Sequence, residues 1–262
     1  MTKKGAGTST NNVGKIIDNT GSKYNLYTFS LTTSTTISEV NVSVKIGIIG
    51  GTGDIGKGLA LRIADKHEII LGSREIEKAL KAARATNCKL HEYNRSSICY
   101  GASNEDAARE GDIIVLALPL QHVSTTLLRI DAKYLGNKIV ISPINPIGQK
   151  NGCFYYEQPE EGSAALAIQK MLPTSTKLVT AFNNIAAHKW AHLNEEIDYT
   201  VAVCGDDAEA KKIVMQLVSE ISKLHAVDAG PLAMSGIIES ITPLLLNIAK
   251  LNNLKDVGVH VS

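Results

Sequence analysis

Three glycines, Gly51, Gly53 and Gly56, stand in G-x-G-x-x-G spacing after the apolar run VKIGIIGG and before the helical stretch LALRIA. A strand before and a helix after turn a weak motif into a dinucleotide-binding signature. Each glycine meets a different demand: Gly51 a tight turn, Gly53 close approach of backbone to a pyrophosphate, Gly56 close packing of helix on strand. The helix start then offers unpaired N–H groups and a partial positive charge to phosphate oxygens. The bland alternative is a glycine-rich turn that serves packing alone.

The end of the second apolar run decides which dinucleotide fits. A carboxylate there would accept from the adenosine ribose hydroxyls. This chain instead reads Gly72-Ser73-Arg74, with no acid before Glu75. Ser73 and Arg74 can donate to a 2′-phosphate, and Lys78 lies one helical turn further on. Hydrogen bonds to charged groups contribute about 1.5–3 kcal/mol, so Arg74 alone corresponds to roughly a 10- to 150-fold preference for NADP. The competing reading makes Ser73 a helix cap and Arg74 a solvated charge. The run 112–118 ends in Leu118-Pro119-Leu120. Ligands lie at the carboxyl ends of strands in such sheets, so Pro119 falls beside the nicotinamide half, unless the proline is mere punctuation.

Other candidates carry less. His188 and His192 share a helix face, but no third metal ligand accompanies them. His122 follows Pro119 and is a minor candidate near the nicotinamide. Asp206-Asp207 reads as an acid pair at a helix start, and Trp190 as a packing anchor. No triad and no metal cluster emerge, so no catalytic acid or base is assigned.

These residues need a scaffold, and the apolar periodicity supplies one. Strands are expected at 44–50, 68–72, 97–100, 112–118, 138–142, 177–182, 199–204 and 224–228. Helices are expected at 54–66, 75–86, 104–110, 121–130, 162–172, 185–193, 207–222 and 234–251. Such alternation implies α/β architecture: a Rossmann-type, doubly wound parallel sheet with a small C-terminal α/β portion. The stretch 143–161 reads as an irregular loop. Residues 1–43, rich in Ser, Thr, Asn and Gly, read as a disordered or loosely attached extension, with 24–31 as a possible short strand. Residues 44–185 would form the NADP-binding domain and 186–262 a smaller portion completing a second cleft. A natural start at Val44 is a further expectation, which a peptide from residues 5–40 in the native protein would refute.

Bulk properties exclude several classes. The composition, 44% hydrophobic and 20% charged over 262 residues, is that of an ordinary globular protein. A net charge of +1 gives no reason to expect a nucleic-acid or membrane-surface partner. No run reaches the roughly 20 apolar residues of a membrane span, and no signal peptide is expected. Cys88, Cys99, Cys153 and Cys204 lack metal spacing and read as reduced, mostly buried thiols of a cytoplasmic protein.

The segments GGTGDIGKG, HEIILGSREIEKA, NEDAA, DIIVLALP, VISPINPI, EGSAA, VCGDD and DAGPLA…ESITPLLLNI, in this order across 44–262, resemble the NADPH-dependent coenzyme F420 reductases, an oxidoreductase family of archaea and some bacteria. The resemblance implies direct, reversible hydride transfer between NADP(H) and coenzyme F420, an 8-hydroxy-5-deazaflavin, in a cytoplasmic homodimer. Carried over, it assigns Thr52, Gly53, Asp54 and Ile55 to the pyrophosphate, Ser73, Arg74 and Lys78 to the 2′-phosphate, and Pro119 to the nicotinamide. The deazaflavin would lie near Asn145, Pro146, Asn183, Ile185, Gly230, Pro231 and Leu232. Amides of Asn145 and Asn183 and backbone N–H groups around Gly230 would serve its pyrimidine edge. The turn Asp65-Lys66-His67 departs from the pattern by lacking a glycine. Two alternatives stay open: an NADPH-dependent reductase of a flavin, metal chelate or imine, and an NADP-sensing module without turnover.

Overall fold

The computed structural model describes residues 16–17, 23–24, 43–95 and 98–261. The chain divides into two units, Met1–Val40 and Asn41–Ser262. In the first, β1 (Ile16–Ile17) pairs antiparallel with β2 (Lys23–Tyr24). The expectations for the rest of 1–42 lie outside the described residues.

The second unit alternates strands and helices. In chain order these are β3 (Lys45–Ile49), α1 (Asp54–Ile63), β4 (Glu68–Ser73), α2 (Ile76–Glu92), β5 (Cys99–Ser103), α3 (Asn104–Glu110), β6 (Ile113–Leu116), α4 (Val123–Leu127) and β7 (Ile139–Ser142). There follow β8 (Ile147–Lys150), β9 (Cys153–Tyr156), α5 (Ala164–Gln169), β10 (Lys177–Thr180), α6 (Ala187–Trp190), β11 (Tyr199–Gly205), α7 (Ala208–Ser219), β12 (Leu224–Asp228) and α8 (Ser235–Leu251). Eight strands form one sheet in the order β12-β11-β10-β7-β6-β3-β4-β5. From β5 to β10 all neighbours are parallel. Only β10 and β11 run antiparallel, and β12 then lies parallel to β11. Strand order reverses between β3 and β6, and the crevice at a doubly wound sheet's carboxyl edge opens at that point.

The sheet is apolar because both faces are covered. Side chains alternate between two cores, as a pleat requires. Ile46, Ile48, Val115 and Ile141 join Leu59, Ile63 and Trp190 on one side. Ile49, Ile114, Leu116 and Val140 join Ile144, Ile168 and Leu232 on the other.

Three expectations need correction. The stretch 143–161 is not irregular throughout: β8 and β9 form an antiparallel hairpin. Its turn is Asn151-Gly152 with φ of 51° and 78°, the left-handed pair that matches the twist of a two-residue hairpin. The hairpin leans on α8, where Asn247 accepts from Phe154 N (2.8 Å) and donates to Phe154 O (2.7 Å), standing in for a neighbouring strand. Secondly, only Cys99 and Cys204 are buried, whereas Cys88 and Cys153 are exposed. Burial pushes the Cys99 thiol up to about 12 and that of Cys204 to about 11. Thirdly, Leu232–Leu251, with mean hydropathy 1.5, is long and apolar enough to cross a membrane by length and composition. It nonetheless carries the fully buried Glu239 and an internal Pro243.

Candidate functional site

The loop between β3 and α1 closes on itself at the carboxyl edge of the sheet. Gly50 takes a left-handed φ of 73°, and a Cβ there would stand 2.8 Å from Ala117 O. The left-handed residue is therefore Gly50, one position before the expected Gly51. Gly51 N donates to Ile48 O (3.1 Å) and Gly72 O (2.9 Å), tying the loop to the end of β4. A Cβ on Gly56 would lie 2.6 Å from the Gly51 Cα, so α1 can rest on the loop only as glycine. Gly53 is different. Its imagined Cβ meets nothing nearer than Gly50 O at 3.7 Å. Among the described residues no contact demands glycine there; a group laid against the backbone from outside would.

Gly53 is also the residue that starts α1, and no side chain caps it. The amides of Asp54, Ile55 and Gly56 thus present the positive end of the helix. Thr52 is half-buried beside them, and the exposed Asp54 pairs with Lys57 at 3.3 Å. Asn104, at the start of α3 and 8% exposed, accepts from Gly50 N at 3.1 Å and braces the loop from the neighbouring helix. Motif spacing does not point to Asn104; only the chain crossing between β5 and β6 brings it there.

At the end of β4, Ser73 is buried and its Oγ accepts from Glu75 N at 3.2 Å. The hydroxyl hydrogen has no acceptor among the described residues. The cap position of α2 is Glu75, so Ser73 is not the helix cap. Arg74 is exposed and, among the described residues, has no carboxylate partner. Lys78 is exposed and held by Glu75, with Nζ 2.6 Å from Oε1. Pro119 is exposed and opens a short turn over Leu120–His122, with His122 also exposed.

Two expected donors are already spent. Asn145 Nδ2 donates to Asn183 O (2.7 Å) and Thr242 Oγ1 (3.1 Å), and Asn183 Nδ2 donates to Ile144 O and Asn145 Oδ1, both at 3.1 Å. All four amide hydrogens are engaged in joining the loops after β7 and β10 to α8. Gly230 N, at φ 95°, donates to Asp228 (2.8 Å), and Leu232 N to Asp206 (2.9 Å). Ile185 and Leu232 are buried at 4% and 1% exposure, and Pro146 is buried, while Pro231 is exposed and Gly230 half-exposed. Of the paired acids, Asp207 caps α7 through Ala210 N (2.8 Å). Asp206 serves the Gly230–Leu232 turn instead, so the CGDD and DAGPLA segments meet there. Trp190 packs edge-on against Phe182. His192 is exposed, and the His188 side chain lies outside the described residues. Among the described residues, no group of three His, Cys, Asp or Glu is arranged for a metal. A shallow groove at the β5 edge, lined by Glu68, Ile76, Tyr100 and Arg109 among others, includes none of these residues.

Residues 45–146 match the family model described as NADP oxidoreductase, coenzyme F420-dependent. An F420-dependent NADP reductase of Methanocaldococcus jannaschii is 39% identical over 84% of this chain and 98% of its own length. The chain belongs to the F420-dependent NADP reductase family. Another F420-dependent NADP reductase, from Methanothermobacter thermautotrophicus, is 38% identical over 84% of this chain and 95% of its own. A solved structure from Arthrobacter sp. FB24 shares the fold with a TM-score of 0.71 at 23% identity, covering 84% of this chain and all of that one.

In this member of the F420-dependent NADP reductase family, one buried acid escaped motif reading. Glu239 on α8 is wholly buried and accepts from Ala164 N (2.8 Å), Ala165 N (3.0 Å) and Tyr156 Oη (2.9 Å). It links α5, β9 and α8, and burial holds its carboxyl above the usual range against the pull of those donors. The segments EGSAA and ESITP contained Glu239 and its two amide donors, but only the tertiary fold pairs them and adds Tyr156.

Proposed function

We propose that this chain transfers a hydride reversibly between NADP(H) and coenzyme F420. The observation that carries the nucleotide half is the pair of bare positions: Gly53, open to an outside group, and Arg74, exposed and without a carboxylate partner among the described residues. The backbone from Thr52 to Gly56 lines the pyrophosphate, with the amides of Asp54, Ile55 and Gly56 as donors and Gly53, whose own N–H donates to Gly50 O, allowing the close approach. Ser73 and Arg74 hold the 2′-phosphate, and Lys78 joins them once released by Glu75. Pro119 borders the nicotinamide. The second cleft is formed by the segments carrying Asn145, Pro146, Asn183, Ile185, Gly230, Pro231 and Leu232. With the Asn145, Asn183, Gly230 and Leu232 N–H groups internally engaged, these segments contribute shape and apolar walls rather than donors from those groups. When both cofactors are bound, the hydride passes directly between nicotinamide C4 and deazaflavin C5. The chain's task is proximity and orientation, and it supplies no acid or base.

The family's relatives by name, and the match over nearly their full length, support the F420 half. A cytoplasmic homodimer without nucleic acid or membrane partner completes the reading. The face of α8 bearing Ile237, Leu244 and Leu251, exposed at 62%, 58% and 70%, supports the dimer. Mixing the protein with NADPH and F420 tests the activity: F420's near-visible absorbance bleaches as it is reduced. Oxidation of NADPH by a flavin or imine but not by F420 would favour a different reductase, and tight NADPH binding with no acceptor oxidising it, a sensor.

A further inference from the structure

The three donors at the end of β4 are not equally available. Among the described residues, the Ser73 hydroxyl hydrogen has no acceptor and Arg74 no ion-pair partner. Lys78, however, is committed to Glu75 at 2.6 Å across one helical turn. Glu75 is fixed in that position by its own backbone, since its N–H donates to Ser73 Oγ (3.2 Å) and it occupies the cap position of α2. In the chain, Glu75 thus stands between Ser73 and Arg74, at and just after the end of β4, and Lys78 on α2, and its carboxylate holds the last of the three. Both side chains of the pair are well exposed, at 64% for Lys78 and 62% for Glu75, so the bond between them is weak enough to be exchanged.

We infer that Glu75 is a specificity-determining residue that competes with the 2′-phosphate for Lys78 and so lowers the preference for NADP over NAD. This rests on the reading of Ser73, Arg74 and Lys78 as the 2′-phosphate site. A dianionic phosphate must draw the Lys78 ammonium away from Glu75 before gaining it, whereas a nucleotide without that phosphate leaves the pair intact. Exposed ion pairs contribute about 0.2–1 kcal/mol, which corresponds to a penalty of up to roughly five-fold in affinity.

The test is calorimetric titration of the full chain with NADPH and with NADH, for the wild type, Glu75→Gln, Lys78→Met and the double variant. Glu75→Gln is expected to tighten NADPH about two- to five-fold, to leave NADH nearly as it was, and to have no such effect when Lys78 is already Met. Added salt should shrink the gain, because both partners lie in solvent. Glu75→Ala must act in the same direction, which guards against a fault peculiar to glutamine. Unchanged or weaker NADPH binding in Glu75→Gln, or an equal gain in the Lys78→Met background, overturns the inference. If the wild type binds both nucleotides equally and Lys78→Met alters neither, the 2′-phosphate site itself is misplaced, and the inference falls with it.

Discussion

Arg74 shows how much one side chain can settle at the scale of the residue. It stands where an NAD-selective enzyme would hold a carboxylate, and among the described residues it makes no ion pair that would have to be broken first. Arg74→Ala is therefore expected to weaken NADPH by about 1.5–3 kcal/mol, roughly 10- to 150-fold, while NADH changes little. Nucleotide titration checks this; equal losses for both would remove the phosphate assignment. The identity of Arg74 was legible in the sequence from its place after a strand. Its freedom was not, because the same five-residue stretch holds Glu75 and Lys78, and only coordinates say which cation the acid takes.

At the scale of elements, α8 is the organising helix. Through Glu239 it caps the start of α5 and reaches Tyr156, and through Asn247 it holds the hairpin. A carboxyl whose folded pKa is raised contributes stability that is complete below its unfolded value and lost as pH rises through the folded one. Wild-type stability relative to Glu239→Gln should accordingly fall as pH rises from below about 4.5 through the raised value. Urea melts of both proteins across this range measure the difference, which cancels the opposing titrations shared by both, such as those of Asp228 and Asp207. An unchanging difference would mean that the carboxyl titrates normally. Asn247→Ala removes both bonds to Phe154 and leaves its backbone groups half-buried, at a cost of about 1–3 kcal/mol. The same melts should register this loss, with proteolysis near Asn151-Gly152 accelerated. That Asn-Gly pair was a readable hairpin signal between IGQK and CFYY. The flanking strands lack a clean alternation because the hairpin rests on a single helix, which is why the stretch resembled a loop.

For the whole molecule, the exposed apolar side of α8 is the feature on which the proposed dimer rests. Burying Ile237, Leu244 and Leu251 against a second copy would remove a continuous apolar stripe from water, the dominant favourable term in association. Leu244→Asp places a charge at the middle of that stripe. It is expected to convert a dimer to a monomer in light scattering after size exclusion; a wild-type chain that already runs as a monomer would refute the assembly. The same stripe contributes to the high mean hydropathy of Leu232–Leu251. Length and mean hydropathy ignore where Glu239 points, and here it points into protein, satisfied by three donors.

What the sequence alone determined were the local things: a glycine loop between strand and helix, alternating apolar runs that fix an α/β sheet, and a cation in place of an acid after the second strand. These follow from neighbours in the chain, so periodicity and spacing record them. The tertiary structure decided the remainder. It placed the left-handed turn at Gly50, where Ala117 O, just past the end of β6, leaves no room for a Cβ. It brought Asn104 to brace the loop from a crossing helix, and joined Asp206 to Leu232. It also turned the Asn145 and Asn183 amides upon each other. Hydrogen bonds between residues 26 to 97 positions apart leave no trace in spacing, so only folding reveals which polar groups are spent and which remain for a ligand.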